Sequence, residues 1–165
     1  MVGDLVGTLA RVGLAGVWLV SGAIKAADPE QTYLAVQAYD VLAAGVVGPV
    51  AAVLPFAELA LGVLLLAGLA TRPVAVASAV LLAVFVAGVA QAWGRGLAID
   101  CGCFGGGGPV DPAETRYPQE IARDAGFMLL AAWLVVRPGT RFALDGRLAP
   151  EDRGRSTPVD TEKGR

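Results

Sequence analysis

Four long apolar runs constrain the fold of this chain more than any other feature of its sequence. They cover approximately residues 5–27, 49–70, 74–93 and 119–136. Each run is close to the ~20 residues that an α-helix needs to cross the hydrocarbon core of a bilayer. The sequence therefore predicts an all-α membrane protein, a four-helix transmembrane bundle with up-down-up-down connections.

The composition agrees with a membrane location and excludes several function classes. Hydrophobic residues make up 55% of the chain and charged residues 17%, whereas soluble domains average about 45–50% and about 25%. A net charge of −2 offers no basic field for nucleic acid. The chain contains no histidine, which excludes Ser-His-Asp and Cys-His catalysis in their usual form.

The segments between the runs define the domain organisation. Residues 29–42 mix apolar and polar residues and place tyrosines where an interfacial helix would have them, although an ordinary loop fits as well. Residues 94–118 are rich in glycine and proline, so neither helix nor strand is favoured there. We expect a four-helix transmembrane domain over 1–138 and a disordered cytoplasmic tail over 139–165.

The distribution of basic residues predicts the orientation. Arg72 lies in the turn between the second and third runs, on the same side as a C-terminal tail that carries further arginines. The opposite side carries Lys25, Arg95 and Arg116, so the bias is modest. The positive-inside rule then predicts a multi-pass protein of the cell membrane, with both termini cytoplasmic and the 94–118 loop extracytoplasmic.

Cys101 and Cys103 are the only cysteines, and Gly102 separates them. A disulfide across this spacing requires the backbone to turn, which a glycine permits, and it constrains the unfolded chain little. A strained, exchangeable disulfide is the property of a redox site rather than of a structural link, and the predicted extracytoplasmic side allows disulfides to persist. Two unpaired thiols or half of a shared metal site are the alternatives, and we expect no metal.

Arg11 and Glu58 are ionisable residues inside predicted spans. Such a residue costs at least ~2.5–3.5 kcal/mol at the centre of a membrane helix and is a candidate functional site. Their predicted depths differ by about five residues, or roughly 7–8 Å. They therefore form either an ion pair that joins the first two spans or a polar anchor for a cofactor such as a quinone.

Small residues in the predicted spans indicate close helix packing. Gly13, Gly16 and Gly22 lie in the first span and Gly62 lies in the second. Membrane helices associate through such residues because they let two backbones approach closely. We therefore expect these glycines at helix–helix contacts.

Several strings in this chain resemble one family. They are the stretch from Arg11 to Lys25, the stretch from Leu54 to Gly68, the Ile-Asp-Cys-Gly-Cys-Phe-Gly string from Ile99 to Gly105, and Ala-Arg-Asp at 122–124. Together they are similar to the methylamine-utilisation protein MauE, within a wider DoxX-like group of four-helix membrane proteins. The resemblance covers about residues 5–137, and the string around the cysteines is its most specific part.

The resemblance implies a role in the maturation of exported proteins. It implies a thiol–disulfide oxidoreductase in which Cys101 and Cys103 exchange electrons with a thioredoxin-fold partner and an exported client, with a quinone in the bilayer as the expected cofactor. A non-enzymatic scaffold that recruits the thioredoxin-like partner is one alternative. A small transporter with Arg11 and Glu58 along its path is the other.

Overall fold

The protein is described by a computed structural model over residues 2–137. The elements in chain order are α1 (Val2–Ala27), α2 (Pro29–Ala38), α3 (Ala44–Ala67), α4 (Thr71–Gly94), β1 (Ile99–Asp100), β2 (Gly108–Pro109), a 3-10 helix (Pro112–Glu114) and α5 (Tyr117–Val136). The predicted all-α class is confirmed. The tail predicted for 139–165 lies outside the described residues.

Three helices of the described chain are long and apolar enough to cross a membrane: Gly3–Ala27 within α1, and all of α3 and α4. Large apolar side chains on the outer surface, such as Leu9 and Phe56, are about two-thirds exposed. Lipid accommodates such a surface, whereas water does not. The fourth span, α5, stays a prediction, because α5 carries three charged residues in its first half.

Helix boundaries differ from the sequence-based prediction at α3. We predicted a start at Pro49, but α3 begins at Ala44 and contains Pro49 and Pro55. It ends at Gly68, whose φ of 67° gives the left-handed C-cap common for glycine. The segment after α1 is a helix rather than a loop: Asp28 caps α2 by accepting a 3.0 Å hydrogen bond from the amide of Gln31.

Helices α1 and α3 run antiparallel in close contact through two glycines. A Cβ added to Gly22 would lie 2.9 Å from the carbonyl oxygen of Pro55, and one added to Gly62 would lie 2.7 Å from Cγ of Leu19. The expected role in close packing is therefore confirmed for both. Gly16 has no atom within 4 Å of such a Cβ, so the same expectation was wrong there.

The core lies where α1, α3, α4 and α5 meet. Leu14, Trp18, Leu65, Leu82 and Leu134 are buried together. The indole nitrogen of Trp18 donates to Oγ of Ser78 at 3.0 Å, which satisfies the only polar group of this large side chain. This core fixes the helices that support the cysteine loop.

One end of the bundle, called here the cysteine end, is formed by the end of α1, the start of α3, the end of α4 and the start of α5. Helix α2 is attached there, since Gln91 of α4 donates to the carbonyl of Tyr39 at 3.0 Å. The loop after α4 contains a two-residue antiparallel ladder that pairs Ile99 with Pro109 and Asp100 with Gly108. The prediction that this loop contains no strand was wrong, because closing the loop brings the two short segments side by side, where they pair.

Candidate functional site

The β1–β2 ladder closes residues 101–107 into a compact loop at the cysteine end. Gly102 has a φ of 67°, and Gly105 to Gly108 all have positive φ values. L-residues with a Cβ rarely adopt this region, so the glycine run is what lets the loop turn back on itself. The cysteines therefore sit in a defined turn rather than in a floppy connector.

The loop lies directly on α2. A Cβ added to Gly107 would lie 2.5 Å from Cβ of Ala35, and one added to Gly102 would lie 3.0 Å from the same atom. Only glycine permits backbones to approach this closely at these positions. Helix α2 therefore supports the cysteine turn.

Side chains from the helices hold the loop through its carbonyl groups. The Tyr39 hydroxyl donates to the carbonyl of Cys101 at 3.1 Å. Oγ of Ser21 donates to the carbonyl of Cys103 at 2.7 Å, and Gln31 donates to the carbonyl of Gly107. Each of these buried or partly buried polar groups thus has a partner. Together these bonds position both cysteines without using their sulfur atoms.

A buried ion pair lies beneath Cys103. Nζ of Lys25 is 3.0 Å from Oε1 and 3.1 Å from Oε2 of Glu58, and it reaches the carbonyl of Cys103 at 3.3 Å. Ser21 bridges the same groups, since its Oγ lies 2.9 Å from Oε2 of Glu58. Lys25 and Ser21 were not predicted as site residues, yet they connect the membrane-embedded carboxylate to the loop.

The predicted Arg11–Glu58 pair does not form. Nη1 of Arg11 instead donates to the carbonyls of Leu65 and Leu66, at 2.8 Å and 3.0 Å. Leu65 lies seven residues beyond Glu58 on α3, which is ~10 Å along the helix axis. The close contacts at Gly22 and Gly62 set the α1–α3 register that separates the two charges.

Cys101 and Cys103 are both free thiols and both buried, each about 8% exposed. Nη2 of Arg123 lies 3.6 Å from Sγ of Cys101. The guanidinium is held in place by Asp124, at 3.0 Å, and by the ring of Phe104, whose centroid is 4.8 Å away. A fixed cation beside one of two neighbouring thiols makes the pair asymmetric.

The two thiols differ in acidity. The hydrogen bond from the Cys103 thiol lowers the pKa of Cys101 from 9.0 to about 6; burial opposes this, and the Cys103 amide and Arg123 add to it. The pKa of Cys103 is raised well above 9.0, because it donates to Cys101 and is buried. Contact with Arg123 identifies Cys101 as the sulfur that carries the negative charge.

Glu120 is a further residue that the sequence analysis did not predict. A carboxylate oxygen of Glu120, one of Asp100 and Sγ of Cys101 all lie within 4.8 Å of one another. Glu120 is 8% exposed, and within the described chain its Oε2 has no hydrogen-bond partner. These three atoms have the chemistry of metal ligands, but the neighbouring Arg123 cation opposes a metal ion, and the expected absence of a metal stays a prediction.

An apolar cavity of about 370 Å³ adjoins the cysteine turn. Helices α1, α2, α3 and α4 form its sides, and Cys101, Gly102 and Cys103 form part of its wall. Lys25 and Tyr39 contribute to the lining, whereas Arg11 and Glu58 are not among the described residues that line it. A cofactor in this cavity would therefore contact the cysteines, not the two residues predicted to anchor it.

Comparisons with known proteins agree with the resemblance noted in the sequence. No curated protein and no solved structure matches this chain. The family described as Methylamine utilisation protein MauE matches residues 3–137, which include all of the helices that form the site except the first residue of α1. The chain therefore belongs to the MauE family.

Proposed function

We propose that this chain is a membrane-embedded thiol–disulfide relay that supports disulfide formation in exported proteins. The observation that carries the proposal is the asymmetric pair of thiols, with Cys101 stabilised as a thiolate by the hydrogen bond from Cys103 and by the neighbouring Arg123. Such asymmetry is what an exchanging pair needs, because a sulfur of low pKa is a good leaving group. The family name places the protein in methylamine utilisation, and we propose maturation of a methylamine dehydrogenase-type client as its context.

The proposed exchange begins from the oxidised pair. A thiolate of a thioredoxin-fold partner attacks Sγ of Cys103, an intermolecular S–S bond forms, and the bond between the two cysteines breaks. Cys101 leaves as the thiolate that Arg123 stabilises. The partner's second thiolate then attacks the partner's sulfur in the mixed disulfide and releases Cys103, which takes up a proton and becomes a thiol. The partner leaves with a disulfide, and two electrons have passed to this chain.

Single cysteine substitutions test the relay. With Cys103 as the attacked sulfur, Cys101→Ser should trap a mixed disulfide with the partner, visible on a non-reducing gel, and Cys103→Ser should trap far less. The double substitution should abolish client oxidation. The scaffold alternative forecasts no trapped adduct and full function in the double variant, and that result would refute the relay.

The transporter alternative has lost its main support. Arg11 donates to backbone carbonyls near the end of α3, and Glu58 is bonded to Lys25 and Ser21. Both charges therefore have structural partners, and neither needs a transported ion to explain it. We accordingly retain the relay and keep the scaffold as the alternative.

We also propose the predicted orientation, with four spans, both termini cytoplasmic and the cysteine end outside. Leu129 of α5 is 72% exposed, which supports lipid contact for this helix. In a variant with both cysteines changed to serine, single cysteines at the exposed positions Glu114 and Pro73 report the two ends. An impermeant maleimide applied to intact cells should label Glu114→Cys and leave Pro73→Cys unlabelled. The reverse pattern would overturn the orientation.

A further inference from the structure

The cavity beside the cysteines opens toward the surface that faces lipid. Val84 of α4 lines the cavity and is 60% exposed, and it lies one turn from Val80, which is equally exposed but is not among the described residues that line the cavity. Val41 and Leu42, in the connection between α2 and α3, also line the cavity and are exposed. Helix α4 is one of the three helices apolar enough to span a membrane. A molecule dissolved in the bilayer can therefore enter the cavity without crossing water.

The cavity has the dimensions and chemistry of a small-ligand site. Its volume of about 370 Å³ falls within the range of about 300–1,000 Å³ common for ligand pockets. Most of the lining is aliphatic or aromatic, including Leu54 and Phe85, and its charged and amide side chains come from the end of α1 and the start of α2: Lys25, Asp28 and Gln31. The Gln31 amide donates one hydrogen to Gly107 and has a second available for a ligand. An apolar ring that carries hydrogen-bond acceptors matches this arrangement.

We infer that this cavity binds a quinone, which reoxidises Cys101 and Cys103 after each exchange. The inference rests on the proposed relay, since exchange leaves both cysteines reduced and their two electrons need an acceptor. The cavity brings a lipid-soluble acceptor into contact with the thiols themselves. It also moves the cofactor site away from Arg11 and Glu58, where the sequence had placed it.

The reoxidation step balances in atoms and charge. Cys101 enters as the thiolate and Cys103 as the thiol, and an S–S bond forms between their sulfur atoms. Two electrons pass to the quinone ring. Two protons accompany them, one from the Cys103 thiol and one from water. The products are the Cys101–Cys103 disulfide, one hydroxide ion from the water and a quinol, and the quinol leaves through the opening at Val84.

The decisive experiment uses the full chain in detergent, reduced, desalted and kept free of oxygen. Decylubiquinone is the probe, because its fully substituted ring does not form adducts with thiols. One quinol should form for every two thiols lost. Val84→Trp, which fills the opening, should lower the rate at least about tenfold at limiting quinone, the effect of ~1.4 kcal/mol of lost binding.

The matched control is Val80→Trp. Val80 lies one turn earlier on α4 and is also 60% exposed, but it is not among the described residues that line the cavity. Its rate should equal that of the wild type. Equal rates for the Val80 and Val84 variants, or no quinol from the wild type, would overturn the inference.

Two further measurements separate this inference from the relay. In the absence of quinone, the Val84→Trp variant should exchange with a thioredoxin-fold dithiol at the wild-type rate. Loss of quinone reduction with normal exchange would therefore leave the relay proposal intact. In the variant with both cysteines changed to serine, a photoreactive azido derivative of decylubiquinone should label residues that line the cavity, whether or not exchange occurs. Label elsewhere, or displacement by phospholipid as effective as that by decylubiquinone, would show that the cavity is not a quinone site.

Discussion

Nζ of Lys25 lies 3.0 Å from Oε1 of Glu58, and the two side chains are only 8% and 0% exposed. The same ammonium group contacts the carbonyl of Cys103. This pair therefore links a carboxylate in the middle of α3 to the turn that carries Cys101 and Cys103. A substitution at Glu58 should therefore change the position of the loop, even though Glu58 is not among the described residues that line the cavity.

The first prediction concerns the coupling within this pair. Lys25→Met or Glu58→Leu alone should cost about 3–5 kcal/mol, because each leaves one buried charge without its partner, and the double substitution should cost less than either. Thermal unfolding in detergent measures all three. The exposed Asp40–Arg95 pair, 2.7 Å apart, is the control and should contribute about 0–1 kcal/mol. Additive losses for Lys25 and Glu58 would contradict the coupling.

The second prediction concerns Arg11 and Glu58. Because Arg11 donates to the end of α3 and Glu58 bonds at its middle, the losses caused by Arg11→Leu and Glu58→Gln should add to within about 0.5 kcal/mol. The same unfolding assay measures the double variant. A double variant markedly more stable than the sum of its parts would restore the ion pair predicted from sequence.

The third prediction concerns the pH dependence of Cys101. Its pKa of about 6 means that the thiol is protonated and slow to react below pH 6 and a reactive thiolate above it. Alkylation of the reduced protein by iodoacetamide should therefore modify Cys101 first, with a half-maximal rate near pH 6. Arg123→Leu should move this midpoint to higher pH, because a stabilising cation is lost.

The matched control for this measurement is Arg116→Leu. Arg116 is an exposed residue just before α5, and its loss should leave the midpoint unchanged. Mass spectrometry identifies the modified sulfur. Initial modification at Cys103 would show that the asymmetry of the pair has been assigned the wrong way round.

The fourth prediction assigns a proton-donating role to Glu120, whose carboxyl group lies within 4.8 Å of Cys101 Sγ and would supply the proton that the reduced pair of cysteines takes up. Glu120→Gln should slow thiol–disulfide exchange about 10²-fold, at the lower end of general acid–base contributions, and should flatten its pH profile. Glu120→Asp should retain part of the rate. Glu114→Gln, an exposed acid in the same loop, should have no effect. An unchanged pH profile in the Glu120→Gln variant would exclude the role.

The fifth prediction tests the contact between the loop and α2. Gly107→Ala should displace the loop, because its Cβ would lie 2.5 Å from that of Ala35. Gly96→Ala is the control: its φ of 69° is also positive, but a Cβ there meets no atom within 4 Å, so it should cost only the ~1–2 kcal/mol of left-handed backbone.

Rescue makes the same test specific. Adding Ala35→Gly to Gly107→Ala removes the 2.5 Å contact and should restore part of the exchange activity, at a cost of about 1 kcal/mol for glycine inside a helix. The restoration is partial because the new Cβ still lies 3.0 Å from Cα of Gly102 and an L-residue at a φ of 96° is strained. Activity should be measured together with unfolding temperature. Failure of the second substitution to restore activity would mean that the contact with α2 does not hold the loop in place.

The apolar runs were sufficient to predict the four long helices, whereas the reactivity of the paired cysteines stays a prediction. The partner of Glu58 could not be predicted by comparing the depths of residues along the predicted spans, because the α1–α3 register depends on where Gly22 and Gly62 contact the facing helix. Lys25 was read as a residue at the outer end of its span, but its long stem reaches inward to Glu58.

Tyr39 and Glu120 were missed for a different reason. Each is distant in sequence from the cysteines and reaches them only after α2 and α5 pack at the cysteine end. Amphipathic periodicity indicates which face of a helix is apolar, but it does not indicate which polar residue will face a distant loop, such as the turn that Tyr39 contacts 62 residues along the chain. The glycines at 105–108 allow the positive φ values that the structure shows there. They did not predict a closed turn, because the closure depends on the pairing of β1 with β2.

The anchoring of the cysteine turn through its carbonyl oxygens has a consequence for its motion. Tyr39, Ser21, Lys25 and Gln31 all bind main-chain oxygen, so the sulfur atoms can rotate about their own side-chain torsions while the peptide frame stays still. Opening and closing of the S–S bond then requires rotamer changes, which are far faster than loop rearrangement. The backbone of the turn is therefore held fixed while the two cysteine side chains rotate. Other side chains could replace the cysteines without breaking the hydrogen bonds that hold this backbone.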